Sequence, residues 1–188
     1  MTKLNAKVQK ELLAKALNQF YGKDNVICKQ NGNIEVDFEW GNIKEETKVK
    51  YSEIYDALCD YRGHTEFAKP GKIKCDFVIG IDTNKIIIEY DEDQHFTKAR
   101  EITFNHYPKV VKIRYDKDVW IERCRNLNRH DNDPVYRDEQ RAFRDAIRDI
   151  EAFKNGYVLF RVYNGQYDFS NEEDITKFFW DLKTAICK

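Results

Sequence analysis

Two adjoining apolar runs lie in the middle of the chain, where residues 72–96 read KIKCDFVIGIDTNKIIIEYDEDQHF. Both runs are rich in Ile and Val and are separated at Asp82-Thr83, so we predict antiparallel strands over 73–81 and 85–91. The three isoleucines at 86–88 indicate that the second strand is buried on both faces of a sheet. The pattern therefore places the centre of a β-sheet here.

Acidic side chains gather on one face of this hairpin in two of its three simplest registers. A two-residue loop places Asp76 opposite Glu89, and a four-residue loop places it opposite Asp91 with Glu89 one step away. A three-residue loop places Asp76 opposite Tyr90 and separates the carboxylates. Like charges this close favour a cation, and oxygen donors suit Mg²⁺. We predict a magnesium site, with a solvated sheet edge as the alternative.

The flanking sequence predicts a mixed architecture in a single domain. Apolar stripes and alternation predict helices over 3–20, 47–62, 135–154 and 173–187, a hairpin over 25–40, and strands over 110–115 and 157–163. Residues 92–109 look irregular, and the basic segment 117–134 has no clear pattern. This order predicts an α/β (α+β) fold, in which helices flank a central mixed β-sheet.

Composition excludes several classes of protein. With 41% hydrophobic and 14% aromatic residues the chain is not disordered, and a net charge of −1 is not that of a polycation. The apolar runs are too short to span a membrane, and the N-terminus has no secretory signal. An odd number of cysteines, five, without a CxxC motif predicts reduced thiols and a cytoplasmic location.

Charge is segregated along the chain. Residues 51–95 hold ten acidic residues (Asp and Glu) and five basic ones (Lys and Arg). Residues 96–130 hold four acidic and nine basic residues. Such blocks suit an enzyme whose carboxylates hold cations and whose basic side chains hold phosphates. Chance clustering on a solvated surface is the alternative.

The motifs around the hairpin resemble those of the PD-(D/E)XK nuclease superfamily. Asp76 on one strand and Glu89 on the next follow its pattern, and IIIEYDEDQHF resembles the branch with an IEYDGxQHF-like second motif. Asp145, Arg148 and Asn155 fall at the spacings of the motif on the following helix. The resemblance spans residues 47–95 and 140–163 and implies a restriction-endonuclease-like core over 47–95 and 135–188.

Three positions depart from the family pattern. Asp91 stands at the position of a lysine, Glu92 at that of a glycine, and Arg148 at that of the helix lysine. The resemblance therefore leaves open which residue replaces the missing catalytic lysine.

The family resemblance implies Mg²⁺-dependent hydrolysis of phosphodiester bonds, with one or two ions and with Mn²⁺ as a substitute. Asp76, Glu89 and the Tyr90 carbonyl would bind the metal, and Glu53 would bind a second ion or its water. The further catalytic candidates are Asp91, Gln94, His95 and Arg148. Arg148 would supply positive charge but not act as a base, because it stays protonated. His95 would contact phosphate or move a proton, with a structural histidine as the alternative.

Residues 96–134 form a basic insertion outside the family core, and residues 1–46 add a helix and a hairpin. Arg and Asn read base edges, and a β-ribbon fits the major groove, so we expect these segments to bind double-stranded DNA. The candidate DNA-binding residues are Lys29, Asn31, Lys98, Arg100, Lys112, Arg114, Arg123, Arg125, Asn126, Asn128 and Arg129. So large a recognition segment favours a sequence-specific type II restriction endonuclease.

Two other functions fit the same residues. One is a nicking, repair or homing-type nuclease of the same fold. The other is a catalytically silent nucleic-acid-binding module. Asp91 in place of the lysine would then indicate that catalysis has been lost. A symmetric DNA site would call for a homodimer, and Phe178, Phe179 and Trp180 in the last helix offer apolar surface for one.

Overall fold

The structure, a computed structural model, describes residues 4–28, 51–63, 74–81 and 84–187. Within these ranges the chain forms six α-helices and four β-strands. The helices are α1 (Ala6–Tyr21), α2 (Ser52–Arg62), α3 (Lys98–Phe104), α4 (Lys117–Leu127), α5 (Arg137–Lys154) and α6 (Glu172–Cys187). The strands are β1 (Val26–Cys28), β2 (Phe77–Ile81), β3 (Asn84–Asp91) and β4 (Tyr157–Tyr163). The predicted mixed α/β class is confirmed.

The four strands form one mixed sheet in the order β1-β2-β3-β4. The first three are antiparallel, and β4 lies parallel to β3 after a crossover that contains α3, α4 and α5. Phe77 pairs with Ile88 and Ile81 pairs with Asn84, which is the register of a two-residue loop. This register brings Asp76, directly before β2, opposite Glu89 of β3.

One face of the sheet packs against the two terminal helices. Its hydrophobic core joins Leu13 and Leu17 of α1 to Ile86 and Ile88 of β3 and to Phe178 of α6. Burying such a side chain fully stabilises the fold by about 1.5–3 kcal/mol. The N-terminal helix therefore belongs to the same core as the central strands.

The opposite face of the sheet packs against α5. Ile87 of β3 and Leu159 of β4 share a buried apolar cluster with Ala152 of α5. Because side chains alternate along a strand, Glu89 and Asp91 lie on the same face as Ile87 and project towards α5. The acidic residues of β3 thus enter the layer between the sheet and this helix.

Two helices lie where the sequence pattern predicted none. Thr97 Oγ1 accepts a hydrogen bond from the Arg100 N–H at the start of α3, and Asp116 Oδ1 accepts one from the Asp118 N–H at the start of α4. Each cap satisfies a free amide of the first helical turn, which is worth about 1 kcal/mol. For these two short helices, the capping residues were the feature of the sequence that could have predicted a helix, and the spacing of apolar residues was not.

The strand predicted over 110–115 is wrong. Val110 is 66% exposed, and this segment forms turns and irregular chain rather than pairing with the sheet. The Tyr115 hydroxyl donates a 2.7 Å hydrogen bond to Asp149 Oδ2, so side-chain contacts hold the segment in place. The second strand of the hairpin predicted over 25–40, and residues 47–50 of the predicted second helix, lie outside the described residues.

The cysteines and the helix lengths agree with the predictions from composition. All five cysteines are free thiols, and Cys187 alone among them is exposed. In the ranges that the structure covers, no helix has the length and apolar character needed to cross a membrane.

Candidate active site

Asp76 and Glu89 lie side by side where β2 begins and β3 approaches its end. Glu89 Oε1 accepts a hydrogen bond from the Asp76 N–H (3.0 Å), and Asp76 Oδ2 accepts one from the Tyr90 N–H (3.0 Å). These charge-assisted bonds to the main chain hold both carboxylates in place. The two acidic side chains therefore meet, as the two-residue register predicted.

A lysine from α1 lies beside the Asp76 carboxylate. Lys10 Nζ is 3.3 Å from Asp76 Oδ2 and 3.1 Å from Glu92 Oε1, and it lies 5.6 Å from the centre of the Tyr90 ring. Burial lowers the pKa of Lys10, but the carboxylates of Asp76 and Glu92 outweigh burial, so the pKa is raised. Lys10 is therefore an ammonium at neutral pH and not a proton acceptor.

Glu89 is buried, and its negative charge is neutralised only in part. The residue is 4% exposed, and its Oε2 lies 3.3 Å from Arg148 Nη1. Burial raises the pKa of Glu89 to about 7 in spite of the opposing attraction of Arg148, and the charge of Asp76 adds to the rise. A buried carboxylate in this state favours a proton or a further cation.

Asp91 shares the face of Glu89 but has other partners. Trp120 Nε1 donates to its Oδ2 (2.7 Å) and Arg161 Nη1 donates to its Oδ1 (2.7 Å), and the residue is 1% exposed. With both oxygens occupied, Asp91 anchors Arg161 and does not join the carboxylate pair. The structure therefore gives no support to Asp91 as a catalytic residue.

A buried network extends from Arg161 through Asp149. Asp149 Oδ1 accepts from Arg161 Nε (2.8 Å), and its Oδ2 accepts from Arg100 Nη2 and from the hydroxyls of Tyr107 and Tyr115 (2.7 Å each). Arg100 is 1% exposed, so the prediction that it binds DNA is wrong. Its guanidinium instead balances a carboxylate in the interior.

His95 lies in the 3₁₀ turn Asp93–His95 that follows β3. Its Nδ1 is 2.8 Å from Asp145 Oδ2 of α5 and 3.8 Å from Asp91 Oδ1. Burial lowers the pKa of His95, but the charge and hydrogen bond of Asp145 outweigh it, so the pKa is raised. Among the described residues His95 Nε2 has no hydrogen-bond partner, so the Nε2–H of the protonated imidazole is available to an anion.

Arg148 joins the carboxylate pair to the histidine. Its Nη1 lies 2.6 Å from Asp145 Oδ1 as well as 3.3 Å from Glu89 Oε2, and its Nη2 donates to the Lys74 carbonyl (2.9 Å). Burial lowers the pKa of Arg148, but Glu89 and Asp145 more than offset it and the pKa is raised. Asp145 thus holds both Arg148 and His95, one on each oxygen.

Two carboxylates supply the oxygen donors that a divalent cation takes at this site. Among residues 4–28, 51–63, 74–81 and 84–187, no three His, Cys, Asp or Glu side chains are grouped to hold a metal. Asp76 and Glu89 supply two carboxylates, and the main chain of Tyr90 lies between them. Mg²⁺ is often held by one or two carboxylates, with water and substrate phosphate completing its shell. The pair therefore fits a single Mg²⁺ ion.

Two further predicted site residues lie apart from the pair. Glu53 is exposed in the first turn of α2, and it has no hydrogen bond or ion pair within the described ranges. Gln94 is exposed, and its amide is 3.4 Å from Glu92 Oε2. The structure gives no support to Glu53 as a metal ligand or to Gln94 as a catalytic residue.

The remaining predicted DNA-binding residues differ in exposure. Arg123 is half-buried and its guanidinium lies 3.9 Å from the centre of the Tyr163 ring, whereas Arg114 is half-buried without such a contact. Lys98 and Arg125 both pair with Glu101 at 2.8 Å. The other exposed members are Lys112, Asn126, Asn128 and Arg129. Lys29 and Asn31 lie outside the described residues.

Two residues of this region were missed by the sequence analysis. Lys10 lies on the apolar-striped helix α1, far from the acidic motif in the chain, and no spacing pointed to it. Arg161 is a charged residue in the otherwise apolar strand YVLFRVY, and a charge at a buried position implies a buried partner. That exception was the signal that could have revealed the Asp91–Arg161 pair.

Comparison with protein-family models, with curated proteins and with solved structures gives no match to this chain. Membership of the nuclease superfamily therefore remains a prediction from the motifs. The geometry of the acidic pair, the histidine and the arginine stands independently of that resemblance.

Proposed function

We propose that this protein is a Mg²⁺-dependent DNA endonuclease of the restriction type that hydrolyses phosphodiester bonds. The observation that carries the proposal is the adjacent pair of Asp76, directly before β2, and Glu89 of β3. Glu89 is buried and Asp76 is half-buried, main-chain hydrogen bonds fix both carboxylates, and Glu89 is incompletely neutralised. The order of a helix, antiparallel strands, a helix and a parallel strand also agrees with the core that the family resemblance implies.

The metal would be held by the carboxylates of Asp76 and Glu89, with the Tyr90 carbonyl as a further donor. A bound Mg²⁺ or Mn²⁺ supplies a water of lowered pKa and neutralises charge that develops on the phosphoryl oxygens. Arg148 offsets part of the charge of Glu89 and holds it in place, because its Nη1 lies between Glu89 and Asp145.

The protein's own proton chemistry centres on His95. When His95 is protonated, its Nδ1–H donates to Asp145, and its free Nε2–H is able to donate to a phosphate oxygen or to the leaving oxygen. Lys10 and Arg148 are both protonated, and neither accepts the proton of the attacking water. Their contribution is positive charge beside the pair.

The decisive experiment is incubation with supercoiled plasmid in Mg²⁺ and, separately, in EDTA. We expect metal-dependent cleavage that Asp76→Asn and Glu89→Gln each abolish, while both variants still bind DNA in EDTA. Glu173→Gln, an exposed change on α6, is the matched control and should cut like the parent. Cleavage retained in either site variant would exclude this assignment.

The form of the product separates the related nuclease functions. Discrete linear fragments indicate a sequence-specific restriction enzyme, whereas nicked circles indicate a nicking or repair enzyme. A long, rare site would indicate a homing-type enzyme.

A catalytically silent nucleic-acid-binding module is a second candidate. It is favoured by one observation, that Lys10 and Arg148 already lie beside the two carboxylates as positive partners. DNA binding without cleavage in either Mg²⁺ or Mn²⁺ would identify this function.

The predicted homodimer and the cytoplasmic location stay predictions. Phe178 is fully buried in the core, so it is not available as dimer surface. Trp180 is 69% exposed and Phe20 is 61% exposed, with Phe20 stacked on Phe179 at 4.1 Å. Sedimentation of the parent and of Trp180→Ala tests whether this surface joins two copies.

A further inference from the structure

Four arginines follow one face of α5 at spacings of four, three and four residues. They are Arg137, Arg141, Arg144 and Arg148. Arg137 Nε is 3.1 Å from Asp131, Arg141 Nη1 is 3.3 Å from Asp138, and Arg148 Nη1 is 2.6 Å from Asp145. Three of the four guanidinium groups thus have a carboxylate partner.

Arg144 differs from the other three. Within the described ranges it makes no hydrogen bond or ion pair, and its Nε is buried without an acceptor. The nearby Asp145 does not pair with it, because Arg148 and His95 occupy the two oxygens of that carboxylate. Burial lowers the pKa of Arg144 and the charge of Arg148 lowers it further, and the charge of Asp145 offsets these effects only in part.

A second unsatisfied donor lies one helical turn away. Arg148 is 8% exposed, and its Nε is buried without a hydrogen-bond partner although its two terminal nitrogens are bonded. Residues four apart on a helix have Cβ atoms about 5–6 Å apart. Two neighbouring guanidinium groups of α5 therefore each hold a buried Nε–H that no acceptor satisfies.

The chemistry of these donors selects their ligand. Planar guanidinium groups bind phosphate through several charge-assisted hydrogen bonds. We infer that Arg144, with Arg148 as an adjacent cation, forms a phosphate-binding site on α5, one helical turn from the arginine that contacts Glu89. That the bound phosphate belongs to a DNA backbone is the part that rests on the proposed function.

The first test uses inorganic phosphate and needs no nuclease activity. We expect phosphate to raise the melting temperature of the parent more than sodium chloride of the same ionic strength does, because it binds only the folded chain. Arg144→Met should remove this difference, and Arg137→Met, in the same row but ion-paired to Asp131, should keep it.

The same variants distinguish a binding role from a structural one. Because Arg144 has no partner to lose, Arg144→Met should melt at or above the parent's temperature in phosphate-free buffer. A lower melting temperature for Arg144→Met would show a structural role and overturn the inference. Equal stabilisation of parent and Arg144→Met by phosphate would overturn it as well.

The second test measures DNA binding in EDTA by fluorescence anisotropy. We expect Arg144→Met to weaken binding about tenfold for any sequence and to reduce the slope of log K against log salt by about 0.9. Arg137→Met is again the control. If phosphate protects the parent and DNA does not bind, the phosphate site stands and the nuclease proposal falls. If Mg²⁺-dependent cleavage is found and phosphate gives no protection, the nuclease proposal stands and this site falls.

Discussion

Lys10 Nζ of the first helix lies 3.3 Å from Asp76 Oδ2, the carboxylate that precedes the second strand. The same ammonium is 3.1 Å from Glu92 Oε1, so it neutralises one member of the Asp76–Glu89 pair and a further carboxylate beside it. A cation held here competes for the same oxygens as a divalent metal. The N-terminal helix therefore sets the electrostatics of the site as well as covering the sheet.

Lys10→Met should increase the affinity for Mg²⁺ or Mn²⁺. Removing the ammonium removes a like-charged competitor from Asp76, and we expect metal to bind about tenfold more tightly, as measured by isothermal titration calorimetry. Lys7→Met, one turn earlier and exposed, is the control. Unchanged metal affinity in Lys10→Met would show that metal binds elsewhere.

Glu89→Gln should change how stability depends on pH. The ordinary pKa of 4.5 applies in the unfolded chain and a pKa of about 7 in the folded one, so the folded state binds more protons between these values. The free energy of unfolding of the metal-free parent therefore falls as the pH rises from about 4.5 to 7. In Glu89→Gln the free energy of unfolding should not show this decrease with pH. The variant should therefore be more stable than the parent above pH 7.

Urea denaturation in EDTA at a series of pH values measures the effect. Glu173→Gln is exposed and should reproduce the slope of the parent. Parallel pH profiles for the parent and Glu89→Gln would contradict the incomplete neutralisation of Glu89.

The hairpin at the site was predictable because its signals are local. The isoleucines at 86–88 fix burial on both faces, and strand alternation then fixes the side on which Glu89 projects. Asp76 follows from the register of a short loop. These steps need only neighbours in the chain, and the structure agrees with each of them.

The partners of the acidic residues were not predictable in the same way. Asp91 shares its face with Glu89, but the pattern does not reveal that Trp120 and Arg161 will occupy its oxygens. Arg100 and Lys98 look alike in a basic segment, yet only the position of Asp149 makes Arg100 an interior residue. Long-range pairing decides these roles.

His95→Gln should destabilise the protein most at low pH. The folded-state pKa of His95 is raised, so its contribution is complete below the ordinary value of 6.5 and is lost as the pH rises through the folded value. A hydrogen-bonded charge pair of this kind is worth about 1.5–3 kcal/mol. Chemical denaturation of parent and variant on both sides of pH 6.5 measures the difference.

The Glu89 contribution is common to both proteins and cancels in that difference. His106→Gln, at a half-buried histidine in the turn after α3, is the control. A penalty for His95→Gln that grows with pH would contradict the Asp145–His95 pairing.

Asp91→Lys, which restores the residue type of the nuclease motif, should unfold the protein rather than activate it. Arg161 is fully buried with Asp91 as a partner, so a lysine there would place two cations together and leave Trp120 Nε1 without its acceptor. Breaking a buried ion pair costs about 3–5 kcal/mol, and the added charge raises that cost. Asp91→Asn, which keeps an acceptor oxygen, should be destabilised by less.

Denaturant midpoints and circular dichroism measure both variants, with Glu92→Lys as the neighbouring control. Glu92 is only partly buried, with 35% of its side chain exposed, so lysine there should cost far less. If Asp91→Lys folded with the stability of the parent and cut DNA faster, position 91 would be a catalytic position. The buried pair instead predicts that any lysine function at this site has to come from another element, and α1 already brings one to the carboxylates.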